Sequence, residues 1–240
     1  LRVFICAGAS IPRQLVKDAR ERLRCAISAG WGMTENGLVT SNGLADPEEK
    51  VFGTDGQPLP GMELRVVDED GRDVPPGTEG DLLVRGSAQF VGYFKRPAFT
   101  AEGHTPDGWF KTGDRAALDR DGYVSITGRS KDVIIRGGEN IPVVEVENLL
   151  FAHPKIAGVA IVGMPDPRLQ ERACAFVIPK PGQSITLEEI VAYLDTQQLA
   201  RQKYPERLEI VSEFPMTPSG KIQKFRLRQT LTERLGASKG

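Results

Sequence analysis

The chain has 240 residues, 40% of them hydrophobic and 26% charged, with a formal net charge of −1 at pH 7. That length can bury the core of one large domain or two smaller ones, and the composition is that of a folded globular protein. The near-neutral charge excludes a global field drawing the molecule onto nucleic acid or anionic lipid, and apolar runs such as Val159-Ala160-Ile161-Val162 are far too short to span a bilayer.

Residues 1–8 read as a buried strand running into a glycine turn. They carry no initiator Met, charged leader or cleavage site, so the chain is expected to be a piece of something longer. Residues 12–23 have helical spacing, 24–28 read as a short strand, and 30–37 read as a loop. Together these predict a βαβ unit and an α/β segment over 1–52. From 53 to 130 short strands alternate with turns, around Glu69-Asp70-Gly71 and Asp121-Gly122 among others, which predicts a β-rich subdomain, a small barrel or sandwich. Residues 1–130 are thus expected to be the remainder of a large N-terminal domain. The texture changes again near Lys131. Strands are predicted at 133–135, 156–163, 172–178 and 208–211, and helices at 142–151, 187–195 and 225–235. This is a small α+β domain over 131–240.

Cys6, Cys25 and Cys174 are scattered, which argues against a disulfide framework or zinc and for a reducing cytoplasm. His104 and His153 alone give poor support to histidine metal sites or Ser-His-Asp catalysis. The C-terminal stretch carries Lys221, Lys224, Arg226, Arg228, Arg234 and Lys239 against one acid, Glu233. It could meet an anionic ligand, although a solvated basic helix face is the commoner cause.

Four constellations carry candidate chemistry. In Gly30-Trp31-Gly32-Met33-Thr34-Glu35, two glycines admit close approach, Trp31 offers a π-face, the Thr34 hydroxyl suits phosphate and the Glu35 carboxylate suits Mg²⁺. A tight turn around a core tryptophan accounts for it equally well. In Trp109-Phe110-Lys111-Thr112-Gly113-Asp114, Asp114 follows a turn and could accept two hydroxyl hydrogen bonds, as a ribose diol requires; alone, the segment is a plain turn. The stretch from Gly128 through Arg129, Lys131, Gly137, Gly138 and Glu139 to Asn140 reads as a linker followed by a hairpin. Lys221 is presented on Pro215-Met216-Thr217-Pro218-Ser219-Gly220-Lys221, which lacks a P-loop frame and by itself is a surface turn.

In order and spacing these four motifs resemble the adenylate-forming superfamily of acyl-CoA synthetases, peptide-synthetase adenylation domains and luciferases, over essentially the whole chain. The run Gly137-Gly138-Glu139-Asn140-Ile141-Pro142 is most similar to bacterial ligases of short, medium or alicyclic carboxylic acids, such as cyclohexanecarboxylate-CoA ligases. The resemblance implies an AMP-forming ligase using ATP, Mg²⁺ and coenzyme A on a small carboxylic acid. It places Gly8-Ala9-Ser10 at the adenine site, Trp31 with Gly32 against the adenine, and Thr34 on phosphate. Glu35 falls on Mg²⁺, Asp114 on the ribose hydroxyls with Arg129 beside it, and Lys131 on the hinge. Gly137-Gly138-Glu139 would line the pantetheine channel, and Lys221 would be the adenylation lysine. Many relatives have Tyr where Trp31 stands. The family's Ser/Thr/Gly-rich phosphate loop ending in Pro-Lys-Gly is absent, so the chain is expected to be inactive alone. Exposure of Lys221 on a turn also implies control by lysine acetyltransferases and deacetylases. Two alternatives stay open: an adenylation module loading a carrier protein, and a non-catalytic fragment of the fold.

Overall fold

The opening strand β1 (Val3–Cys6) is followed by helix α1 (Arg13–Leu23) and then by β2 (Ala26–Met33), which pairs with β1 in parallel. The structure is a computed structural model, and it describes residues 1–9, 11–218 and 220–237. Helix α1 ends where Arg24 takes a left-handed backbone (φ 50) and returns its N–H to Arg20 O at 3.0 Å. That satisfies an orphan carbonyl, and Arg20 and Arg22 complement the negative end of the helix dipole. After β2 come β3 (Gly37–Ser41), α2 (Glu48–Gly53) and β4 (Gln57–Pro58), giving a sheet of order β1-β2-β3-β4. Val16, Cys25, Ile27 and Val51 pack α1 and α2 against β2.

The apolar opening segment is not buried, contrary to the expectation from composition. β1 lies at the sheet edge with β2 as its neighbour, and Phe4 and Ile5 are 45% and 52% exposed. Hydrophobicity marks a strand as buriable; a covering layer has to do the burying.

Next come β5 (Met62–Val67), β6 (Glu79–Gly86), α3 (Pro97–Glu102), β7 (Phe110–Leu118) and β8 (Val124–Arg129). Their strands pair antiparallel in the order β5-β6-β7-β8. Where the turn spacing suggests a barrel or sandwich, the described residues form an open meander. Each strand pairs with the next in the chain, with α3 carried in the β6–β7 connection, and four strands are too few to close around packed side chains. The bidentate Arg13–Asp55 pair (2.8 and 3.0 Å) ties α1 to this region, since Asp55 Oδ2 also accepts the Ile126 N–H at 2.9 Å.

The chain divides into two units after Lys131. The second contains β9 (Ile134–Arg136), β10 (Glu139–Ile141), α4 (Val143–Phe151), β11 (Ile156–Asp166), β12 (Gln170–Pro179), α5 (Leu187–Thr196), β13 (Arg207–Ile210) and α6 (Lys224–Ala237). The sheet order is β10-β9-β12-β11, with β13 parallel to β12. Both faces are covered, so β11 and β12 are apolar at successive positions. Val159, Ile161, Ala173, Ala175 and Val177 point into the cluster with α4 and α5; Ala160, Val162, Cys174 and Phe176 point into the cluster with α6. Glu147 of α4 accepts the Ile161 N–H at 2.7 Å on the edge strand and pairs with Lys224 Nζ at 2.7 Å. One carboxylate thereby covers an edge donor and anchors the start of α6. A Thr186–Glu189 capping box opens α5. No helix among the described residues is long and apolar enough to cross a membrane.

His153 lies buried between α4 and α5, its ring edge-on to Tyr193 at 4.7 Å and its Nδ1 accepting the Lys155 N–H at 3.2 Å. Burial holds its imidazole below the ordinary pKa, and Lys155 and Lys180 add to this against Glu189. The folded state therefore favours neutral His153, while the unfolded chain takes up the proton first as pH falls. The contribution is complete above about pH 6.5 and declines below it. Chemical denaturation of the chain between pH 7.5 and 5 is expected to show stability falling with acidification, and a His153→Gln variant to show a shallower fall. Identical slopes in the two proteins would refute this assignment.

Candidate functional site

The glycine-rich hexapeptide is a strand for four of its six residues. β2 continues through Trp31, Gly32 and Met33, and only Thr34, Glu35 and Asn36 form the turn, closed by Asn36 N–H to Met33 O at 3.1 Å. Gly37 follows with φ 64, the left-handed position of a three-residue hairpin loop. The loop expected over 30–37 is thus a hairpin, because Gly30↔Ser41 and Trp31↔Thr40 pair across it. The glycines serve that pairing: a Cβ on Gly32 would sit 2.1 Å from Gly37 O, and one on Gly30 2.7 Å from Thr40 O.

Asp114 also sits in a strand rather than a plain turn. The β6–β7 ladder jumps from Asp81↔Arg115 to Leu83↔Lys111, so Thr112, Gly113 and Asp114 bulge out of register. Gly113 takes φ 72, the Thr112 hydroxyl donates to Leu82 O at 2.8 Å, and Thr112 Oγ1 accepts the Asp114 N–H at 3.0 Å. A bulge of this kind re-aims a side chain. The Asp114 carboxylate, 7% exposed, accepts the Trp31 indole N–H on Oδ2 at 2.8 Å and the Arg129 Nε–H on Oδ1 at 3.0 Å. Trp31, Asp114 and Arg129, far apart in the chain, are brought together. Trp109, by contrast, is a core residue flanked by the Arg65 and Arg85 guanidinium groups at 5.3 and 4.4 Å.

Thr34 is exposed on the hairpin turn, and Glu35 beside it accepts the Tyr93 hydroxyl on Oε1 at 2.9 Å. Burial chiefly, and Glu35 secondarily, push the Tyr93 phenol up. No group of three or more His, Cys, Asp or Glu among the described residues could cage a metal. Glu35 therefore belongs to no all-protein cage, and a carboxylate in that position could hold Mg²⁺ only with substrate phosphates completing the coordination. Gly8 (φ 93) and Ala9 follow β1 at the end where Cys6 pairs with Ala29, next to Gly30 and Trp31. Ligands of parallel α/β sheets bind at that end of the strands. Ser10 lies outside the described residues. Sequence reasoning passed over Tyr93 and Thr112. Tyr93 acts through its bond to Glu35, far away in the chain, and Thr112 through bonds to Leu82 O and the bulged Asp114 N–H, none of which residue type alone reveals.

The remaining candidates belong to the second unit or to the boundary. Gly137 and Gly138 (φ 61 and 89) form the two-residue turn between β9 and β10, with Arg136 paired to Glu139 across it. Ser130, just before the boundary, donates its N–H to Gly113 O and its hydroxyl to Asp81, both at 3.0 Å. Asp132, just after it, pairs with Arg228. Lys131 is the exposed residue between these anchors. Lys221 is exposed on a loop closed by Thr217 N–H to Lys221 O at 2.8 Å and Lys221 N–H to Thr217 Oγ1 at 3.0 Å. Met216 and Ile222 bridge at its base, and Ile222 packs on the Phe176–Leu227 cluster. Ser219 lies outside the described residues.

Residues 1–94 match the family described as AMP-binding enzyme, and residues 145–221 match the AMP-binding enzyme C-terminal domain. The medium-chain fatty-acid–CoA ligase of Escherichia coli K12 is 43% identical over 98% of this chain and 42% of its own length. The 2,3-dihydroxybenzoate-AMP ligase of Bacillus subtilis 168 is 42% identical over 98% of this chain and 43% of its own. The ATP-bound crystal structure of MatB from Rhodopseudomonas palustris superposes with a TM-score of 0.89 at 34% identity, covering 95% of this chain and 45% of that one. The chain spans less than half the length of these relatives.

Gly32→Ala should open the β2–β3 hairpin, because the added methyl meets backbone that cannot move aside. We expect a loss of about 2 kcal/mol or more in the first unit, read by denaturation, with slowed-exchange amides of Trp31 and Thr40 becoming labile. Unchanged protection at both amides would contradict the close-packing role.

Proposed function

The chain belongs to the AMP-binding enzyme family, and on that premise we propose that it is the C-terminal portion of an AMP-forming carboxylate–CoA ligase. The observation that carries the reading is the buried Asp114 carboxylate, aimed by a strand bulge and held beside the Trp31 ring at the end of the α/β sheet. In this reading the Trp31 face receives the adenine and Asp114 the ribose hydroxyls. Thr34 would meet the phosphates, and Glu35 with those phosphates would hold Mg²⁺. When bound, Mg²⁺ neutralises phosphate charge.

The first step joins the carboxylate to the α-phosphorus of ATP, giving acyl-AMP and releasing pyrophosphate. The acid is already ionised at pH 7, so the chain needs no general base and contributes positioning and charge. Lys221 supplies a cation between the carboxylate and the α-phosphate. In the second step the CoA thiol displaces AMP, and Gly137-Gly138-Glu139 line the path of the pantetheine arm. The second unit then changes its orientation about Lys131, withdrawing Lys221. The 240 residues contain no Ser/Thr/Gly-rich segment ending in Pro-Lys-Gly, so both steps are assigned to a protein that also carries that loop. Acetylation of Lys221 would remove the charge the first step uses.

Lys221→Ala, made in a protein that includes the phosphate loop, should lower pyrophosphate release by about 10²-fold or more. Thioester formation from pre-formed acyl-AMP should stay within a few-fold of wild type. Equal losses in the two half-reactions would overturn the two-orientation scheme. Supplying a carrier-protein pantetheine in place of CoA tests the other acceptor.

Lys131→Pro fixes φ and removes an N–H where the backbone must turn. Adenylation should persist as a pyrophosphate burst while acyl-CoA yield collapses. If burst and yield fall together with the melting temperature, the fold has been damaged; if neither falls, the pivot lies elsewhere in 128–133.

A further inference from the structure

Among the described residues, two donors of different character meet the Asp114 carboxylate. Arg129 reaches Oδ1 through a single N–H from a side chain that is 60% exposed. Such a contact is screened by solvent and leaves a long side chain free to leave it. The Trp31 N–H is the opposite case. Its ring is rigid, with two side-chain torsions, and it is partly buried, packing against Leu64, the cluster of Val39, Met62 and Val84, and that of Val66, Leu82 and Ala116. Its backbone is pinned as well: the Trp31 N–H donates to Thr40 Oγ1 at 3.1 Å, and the Thr40 hydroxyl donates to Asp55 O at 2.6 Å. An indole offers one donor and no acceptor, and here that donor is spent on Oδ2 of a nearly buried carboxylate at 2.8 Å.

Asp114 itself needs such a fixed reference. It leaves the β6–β7 ladder at a bulge while staying paired with Arg129 of β8, and backbone pairing on one side does not set its carboxylate plane. Two acceptor oxygens can receive a vicinal diol only if that plane is held.

We propose that Trp31 is a positioning residue for ribose recognition: its indole N–H fixes the Asp114 carboxylate plane, so the preference for ribonucleotides over 2′-deoxyribonucleotides depends on Trp31 as well as on Asp114. The inference rests on the nucleotide-site reading above. It assigns the indole nitrogen a task separate from any stacking by the ring face, one that a phenyl ring cannot perform.

Two measurements on the 240-residue chain test it. With ¹⁵N labelling, Trp31 and Trp109 give the indole signals, and Trp31→Phe identifies the first. Asp114→Asn should move the Trp31 indole signal upfield and leave that of Trp109 in place; an unmoved Trp31 signal overturns the contact. Calorimetric titration then compares AMP with 2′-deoxyAMP. Wild type should prefer AMP by about tenfold, the scale of one hydrogen bond, and Trp31→Phe should reduce the preference to about threefold or less, as Asp114→Asn does. Uptake of benzothienylalanine in place of tryptophan keeps the fused ring and replaces N–H by sulfur. It should give the same loss of preference, so the result does not depend on the Phe variant packing well. Equal weakening of both nucleotides with the preference intact overturns the proposal and leaves Trp31 a stacking surface. No binding of AMP by wild type at millimolar concentration removes the nucleotide-site reading and the proposal with it, while the indole shift still reports the Asp114 contact.

Discussion

A carboxylate that is almost wholly removed from water has to be met by donors, and in the first unit that demand falls on Asp114. An unpaired buried charge would cost several kcal/mol, so the surrounding elements are arranged to supply partners. The Thr112–Asp114 bulge turns the side chain inward, Thr112 bridges the bulge to Leu82 O, Trp31 delivers an N–H from β2, and Arg129 delivers another from β8. The α/β segment and the antiparallel meander therefore meet at one anion. A site built in this way is held by strands, which fix positions more closely than loops.

The second unit follows a different rule. Its two long strands carry no charge inside; they are covered on both faces, and alternate residues serve alternate helices. What this packed slab presents is polar and peripheral. The Lys221 loop stands on Ile222, which is inserted in the α6 cluster, and Lys224 beside it is tied to Glu147 of α4. The Gly137-Gly138 turn stands on the β9–β10 hairpin. With the roles proposed for Lys221 and for Gly137-Gly138, two loops on one packed body could be exchanged at a reaction centre by moving that body as a whole, without remodelling either loop. The proposed pivot suits such a movement, since Ser130 is fastened to the first unit and Asp132 to the second.

Much of this was legible in the residues alone. Helical spacing located α1, α4, α5 and α6 to within a few positions, and the apolar runs located β11 and β12. These signals are local: periodicity and capping chemistry act over one or two turns of chain. The mixed α/β class and the family resemblance followed from motif order. The turn residues were legible too, since the positive φ at Gly37, Gly137 and Gly138 is a property of the sites glycine favours.

Only the tertiary structure decided the rest. Whether the apolar β1 is buried depended on what lies against it, and the chain left Phe4 and Ile5 half exposed. Whether Gly30-Trp31-Gly32 was loop or strand depended on the pairing with β3. Tyr93 reaches Glu35 across 58 residues, and Trp31 reaches Asp114 across 83; no window of sequence contains either pair. A side chain's type fixes which bonds it can make. Which bonds it does make is set by which strands the fold lays side by side, because the free energy of burying a charge or a donor is settled by all its neighbours at once.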